Sequence, residues 1–231
     1  YNERVEASRN FANKVWNASR FILMNMKENV VEKPEDALLT PADRWILSAV
    51  NTLAKDVTEN MDKFELGIAV QKVYDFIWDE FCDWYVELAK YRIWHAEEDQ
   101  AAANCVLWVL KTVLGQALKL LHPFMPFITE EIYCTLNPEE ESIMIASWPE
   151  WEKEWDFKQD EKDVEMIKEA VRSIRGVRTE MNVPPSKKAT VYVVAEDASV
   201  RETLEKGKFF SATLASASEV LVQTDKSGIA E

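Results

Sequence analysis

Glycine is scarce in this chain: five residues, at 67, 115, 176, 207 and 228, no two of them within twenty positions of each other. A GxGxxG fingerprint and a P-loop both need clustered glycines to bring backbone N–H groups onto phosphate, so both are excluded. Cys82, Cys105 and Cys134 are odd in number and never form CxxC, and the histidines are only His95 and His122. Structural zinc needs several N or S ligands at short spacing, and a disulfide framework needs dense, paired cysteines. Neither supply exists, so no metal or cofactor is expected, and a reducing cytoplasm is the expected compartment. No apolar run approaches the roughly eighteen residues of a membrane span, and no basic N-terminal region precedes an apolar stretch. The first residue is Tyr1 rather than methionine, which points to excision from something longer.

What is present is an ordinary globular composition. The 231 residues are 47% apolar and 29% charged, enough for a hydrophobic core and against disorder. The net charge is −14, which taken whole argues against nucleic acid. Its distribution is uneven: +2 over residues 1–30, −7 over 31–129, −10 over 130–165 and +1 over 166–231. The two ends are therefore where a polyanion could approach.

Apolar positions recur at three and four through the first 136 residues, which predicts helices. The first spans residues 2–26. Thr40-Pro41-Ala42-Asp43 announces the second, with an N-cap hydroxyl, a proline at the first helical position and an acid in the first turn. It continues through Met61. A third covers 65–93 and a fourth 100–121, ending at the His122-Pro123 break; together the four predict an antiparallel bundle. A short helix near 126–136 and an extended segment over 141–149 follow, then an acidic, tryptophan-rich linker (Trp148, Trp151, Trp155). A helix over 160–181 ends at Pro184-Pro185. Residues 189–194 read as a β-branched strand, 198–206 as a helix and 220–222 as a second strand. The fold class is mainly α: a helical-bundle domain over 1–150, then a linker helix and small α/β appendage over 151–231.

The first helix carries the most chemistry. Stepping its residues at 100° gives an apolar arc of Phe11, Ala12, Val15, Trp16, Ala18, Ser19, Ile22, Leu23 and Met26. The opposite arc holds Asn10, Asn13, Lys14, Asn17, Arg20 and Phe21, with no acid at all. A solvated face normally mixes Glu with Lys. Two readings fit this one. Single-stranded RNA would use the ring for stacking, the amides and guanidinium for base edges and the cations for phosphate. Alternatively the amides face another helix and Phe21 closes the core from its edge.

Lys168, Arg172 and Arg175 fall on one stripe of the 160–181 helix, with Arg178 beside them. They suit RNA backbone contact, or a solvated basic stripe facing the acidic linker. Asp75, Asp79, Glu80, Asp83 and Glu87 on the third helix are expected to be ion-pairing or capping groups. A di-iron site is excluded, because Arg92 and Lys119 stand three places before the two histidines where such a site needs Glu. His122 is expected to be a satisfied turn residue, and Cys105 and Tyr133 to be core.

Several segments then become recognisable. They are Asn10-Phe11-Ala12-Asn13-Lys14-Val15-Trp16-Asn17-Ala18-Ser19-Arg20-Phe21, Ala42-Asp43-Arg44-Trp45-Ile46-Leu47, Trp78-Asp79-Glu80-Phe81, Leu121-His122-Pro123-Phe124-Met125-Pro126 and Met181-Asn182-Val183-Pro184-Pro185. Over about residues 1–195 the chain resembles the anticodon-binding region of the valyl-tRNA synthetases, which belong to class I (subclass Ia). The resemblance implies a helical bundle that receives the tRNA anticodon stem-loop, then a junction domain truncated before a coiled-coil arm. It also implies that Lys14, Arg20 and Phe21 lie against anticodon bases; Asn17 joins them on geometry alone. The expected partner is the tRNA(Val) stem-loop, bound by a monomer. The catalytic domain of that family, with its His-Ile-Gly-His-like and Lys-Met-Ser-Lys-Ser-like motifs, is absent, so this chain is not expected to activate valine; ATP belongs to the parent enzyme. The corresponding region of an isoleucyl relative, or a non-catalytic helical scaffold, are the alternatives.

Overall fold

A computed structural model describes residues 2–26, 31–184 and 186–227, with side chains from residue 5 onward. Pro185, half of the expected helix stop, lies outside the described residues. The chain divides into two compact units, Tyr1–Lys158 and Gln159–Glu231.

The first unit is helical. Helix α1 runs Asn2–Met26, α2 Pro41–Asp62 and α3 Leu66–Asp75. A π-helical segment, Phe76–Val86, leads without a break into α4, Glu87–Trp94. Helices α5, Gln100–Leu121, and α6, Pro126–Leu136, complete it. Helix α5 is long and apolar enough to cross a membrane. Its apolar side chains are instead core: Val106, Leu107, Val109, Leu110, Val113, Leu114 and Leu118 are all buried. Cys105 and Tyr133 are also buried, and His122 Nδ1 meets Thr129 Oγ1 at 2.7 Å in the turn.

Helix α2 starts where the sequence places it, through a full capping box. The Asp43 N–H donates to Thr40 Oγ1, and the Thr40 N–H donates to Asp43 Oδ2 at 2.8 Å. Asp43 does more than cap. Its side chain is only 1% exposed, accepts the Tyr85 hydroxyl at 2.5 Å on Oδ1 and pairs with Arg92 at 2.7 Å on Oδ2. One carboxylate thereby ties α2 to the π segment and to α4. Burial and then the Asp43 charge push the Tyr85 phenol well above its ordinary range, so it remains a donor.

Residues 141–149 are not extended throughout, as their β-branched run suggested: Ile143–Ile145 form a single 3-10 turn, with the Ser142 hydroxyl accepting from the Met144 N–H. The acidic segment after them is bonded to α2. Asn51 donates to the Glu152 carbonyl and accepts from the Glu152 N–H, both at 2.7 Å. The Phe157 N–H donates to Ser48 Oγ at 3.0 Å, and Trp148 Nε1 donates to Thr58 Oγ1 at 2.8 Å. Ser48, Asn51 and Thr58 share one helical face, so α2 presents a polar stripe that satisfies this segment's backbone. Residues 151–158 consequently belong to the first unit.

In the second unit α7, Lys158–Glu180, ends through Asn182 in the left-handed region (φ 53°), where asparagine is tolerated. Strand β1, Ala189–Val194, pairs in parallel with β2, Ala217–Gln223, with Val191 opposite Val220. Between them lie α8, Ala198–Lys206, capped by Asp197, and α9, Lys208–Leu214, which periodicity had not indicated. At Gly207, between these helices, a Cβ would overlap the Ile167 side chain, so α7 approaches only because that position is glycine.

Two consequences are measurable. Asp43→Ala leaves Arg92 unpaired in the interior and should lower the unfolding free energy by about 3–5 kcal/mol in urea titrations, with Asp43→Asn losing less. Asn51→Ala strips both backbone groups of Glu152 and should cost about 1–3 kcal/mol. Hydrogen exchange should then show the Glu152 amide deuterating faster, while amides in the middle of α5 do not change.

Candidate nucleic-acid interface

Helix α1 buries Phe11, Val15, Ser19 and Ile22, one turn apart, against the bundle. Trp16, expected on that apolar arc, is 42% exposed: it sits one step beyond Val15, at the margin where the neighbouring helices no longer cover it. Phe11 opens a ladder of rings, 4.5 Å from Tyr74, which lies 5.7 Å from Trp78 in a stacked arrangement. The Lys14 ammonium caps this ladder, 3.7 Å from the Trp78 ring centroid, and pairs with Asp83 at 2.7 Å.

Beside the ladder lies an open cleft of about 510 Å³. Asn10, Asn13, Lys14, Asn17 and Phe21 line its α1 wall, and Cys82, Asp83, Val86, Glu87 and Lys90 the other. Phe21 is half-buried at its edge, with Lys90 Nζ 6.0 Å from the ring centroid. Asn17 and Arg20 are exposed, Arg20 outside the cleft lining. The four predicted residues thus fall on one side of α1, with Lys14 set inward and paired. Burial pushes the Cys82 thiol up to about 12 against the opposing pull of Lys14, so it presents a neutral wall rather than a nucleophile. Among the described residues no three His, Cys, Asp or Glu side chains come together as metal ligands.

The opposite wall comes from the π segment. Its i→i+5 bonding adds one residue to each turn, which brings positions four and five apart onto one face. Trp78, Cys82, Asp83 and Glu87 therefore converge on Lys14. An α-helical projection spreads the same residues over half the circumference, and this is why sequence periodicity did not find them. The available signal was the acid-free face of α1, whose cations had to be balanced from another element.

The basic stripe of α7 is different from its sequence projection. Lys168 is 1% exposed, because it lies on the face that buries Val164, Ile167 and Val171, and it pairs with Glu165 at 3.0 Å. The expected RNA backbone role of Lys168 is corrected accordingly. Arg172 pairs with the same Glu165 at 2.8 Å, and Arg175 Nε donates to the Leu214 carbonyl at 2.8 Å. Burial alone would raise Glu165, but hydrogen bonds from Arg172 and Lys168 hold its carboxyl below the usual range.

Comparison with known proteins fits this architecture. Residues 43–193 match the family described as the anticodon-binding domain of tRNA ligase. The chain belongs to this family. The match opens at Asp43, the buried cap of α2, and closes within β1, so α1 precedes the matched part of the anticodon-binding domain. Longer relatives cover α1 as well. The chain is 51% identical over 228 residues to a valine–tRNA ligase of Clostridium perfringens, covering 98% of this chain and 26% of that protein. It is 50% identical over 221 residues to that of Clostridium tetani (95% and 25%) and 42% identical over 224 residues to that of Bacillus anthracis (96% and 25%). The anticodon-binding chain thus spans about a quarter of the length of the relatives it matches.

The depressed acidity of Cys82 gives a direct check. In the native chain at pH 8, iodoacetamide should leave Cys82 unmodified, whereas unfolding in denaturant should expose it to alkylation, read by peptide mass spectrometry.

Proposed function

We propose that this chain is the anticodon-binding region of a valine–tRNA ligase and that it recognises the tRNA(Val) anticodon stem-loop through the cleft beside α1. The observation that carries the reading is the Phe21 ring, half-buried at the cleft edge with exposed Asn17 and Arg20 on the same side of the helix. A ring held by its own packing can accept an unpaired base with little loss of side-chain freedom. Asn17 and Arg20 supply donors to base edges or phosphate, and Lys14 supplies charge at the inner end. The identities to valine–tRNA ligases support the valyl over the isoleucyl assignment.

In this reading the chain is a recognition module without catalytic residues or cofactor. Valine activation with ATP and transfer to tRNA belong to the remaining three-quarters of the parent enzyme. The bundle over 1–150 is the anticodon-binding domain and 151–231 the junction, in a cytoplasmic monomer. Arg172 and Arg175, engaged by Glu165 and the Leu214 carbonyl, contribute at most secondary backbone contacts. Stacking of one base supplies about 1–3 kcal/mol, so matched and anticodon-swapped loops should differ measurably.

Titration of both stem-loops at fixed low salt tests this. Phe21→Ala should weaken the matched loop by about 1–3 kcal/mol and reduce the matched-to-swapped ratio. Arg20→Ala should weaken it too, and Lys168→Ala should leave the ratio intact. Equal affinities of the unaltered chain for the two loops would mean that the module does not read the anticodon, since phosphate contacts alone bind both alike.

A further inference from the structure

Each cation lining the α1 cleft is already held by a carboxylate that also lines it. Lys14 pairs with Asp83 at 2.7 Å and Lys90 with Glu87 at 2.5 Å. The two charges of each sign cancel, and what is left of the lining is amide, aromatic or apolar. Within the first pair the carboxylate is the outer partner: the Asp83 side chain is 53% exposed and that of Lys14 21%, its ammonium fixed over Trp78. RNA approaching the cleft therefore meets Asp83 before it meets an available positive charge.

This arrangement has a chemical consequence. Phosphate neutralisation is independent of sequence, and it draws its free energy from counterions released as cations engage the backbone. A cation that must first give up a carboxylate offers no such gain. A repulsive element of this kind improves discrimination by weakening the wrong ligand more than the right one.

We infer that Asp83 and Glu87 are specificity-determining residues that neutralise the cleft's cations, so that backbone alone gains nothing there and a loop must offer an unstacked base to bind. The inference rests on the proposed role of the cleft in RNA recognition. It assigns the acids of the π segment a function beyond ion pairing within the fold.

Salt titrations of the 231-residue chain separate the alternatives, using the matched stem-loop, the anticodon-swapped stem-loop and an unrelated single-stranded RNA. Asp83→Asn and Glu87→Gln should each tighten binding of the unrelated strand several-fold at low salt. Each should steepen the dependence of log K on log salt by about 0.7 for the cation released, and lower the matched-to-swapped ratio. Glu202→Gln, which opens a similarly exposed pair with Lys206 in the second unit, should change neither slope nor ratio. Thermal melts by circular dichroism confirm that the variants are folded. The inference is overturned if Asp83→Asn and Glu87→Gln bind the unrelated strand no better than the unaltered chain, or if Glu202→Gln reproduces their gain. An unaltered chain that fails to separate the two stem-loops removes the anticodon reading and this inference together. One that does separate them, while the variants gain nothing on the unrelated strand, removes this inference alone.

Discussion

A buried carboxylate organises the first unit. Asp43 caps the helix it begins, accepts the Tyr85 hydroxyl and pairs with Arg92. Its three partners come from the Thr40 turn, the π segment and α4, so no single element can move without leaving a charge or a donor unsatisfied in the interior. The same constraint reaches the cleft. Tyr85 fixes the π segment at one end, and that segment carries Trp78 and Asp83 to Lys14. Fold and candidate site are therefore held by one covalent stretch of eleven residues, Phe76–Val86.

Much of this was legible in the sequence, and the reason is physical. Helices α1, α2, α5 and α6 bury a single stripe and start or stop at residues with clear backbone chemistry: Thr40 and Pro41 for α2, the His122-Pro123 break for α5. The strand at 189–194 and the helix at 198–206 were readable from β-branching and from the Asp197 cap. The less visible features all depend on tertiary context. Ile143–Ile145 has strand composition but no strand to pair with, and closes a 3-10 turn instead. Lys168 projects onto a basic stripe, yet its long aliphatic stem goes inward with Val164 and Val171 while Glu165 meets its charge. Ser48 and Asn51 look like solvated helix residues until the segment they bind is in place.

The candidate site divides along the same line. The α1 wall was legible because a helix face without acids is unusual in a chain of net charge −14. The other wall was not, since its residues were assigned to a helix of ordinary period. Local composition, not the overall charge, decides what approaches a surface. Here the acids that make the chain anionic as a whole include the very ones that balance Lys14 and Lys90.

The π segment also fixes how this stretch can tolerate change in length. Such a segment holds one more residue per turn than its neighbours, so losing a single residue between Phe76 and Cys82 would let it relax toward the ordinary spiral. Everything downstream would then rotate by about 100° about the axis. Tyr85 would swing off Asp43 and Asp83 off Lys14 in the same step, breaking the keystone and the groove by one deletion, whereas an exposed loop such as that around Asn137 could lose a residue with no comparable turn.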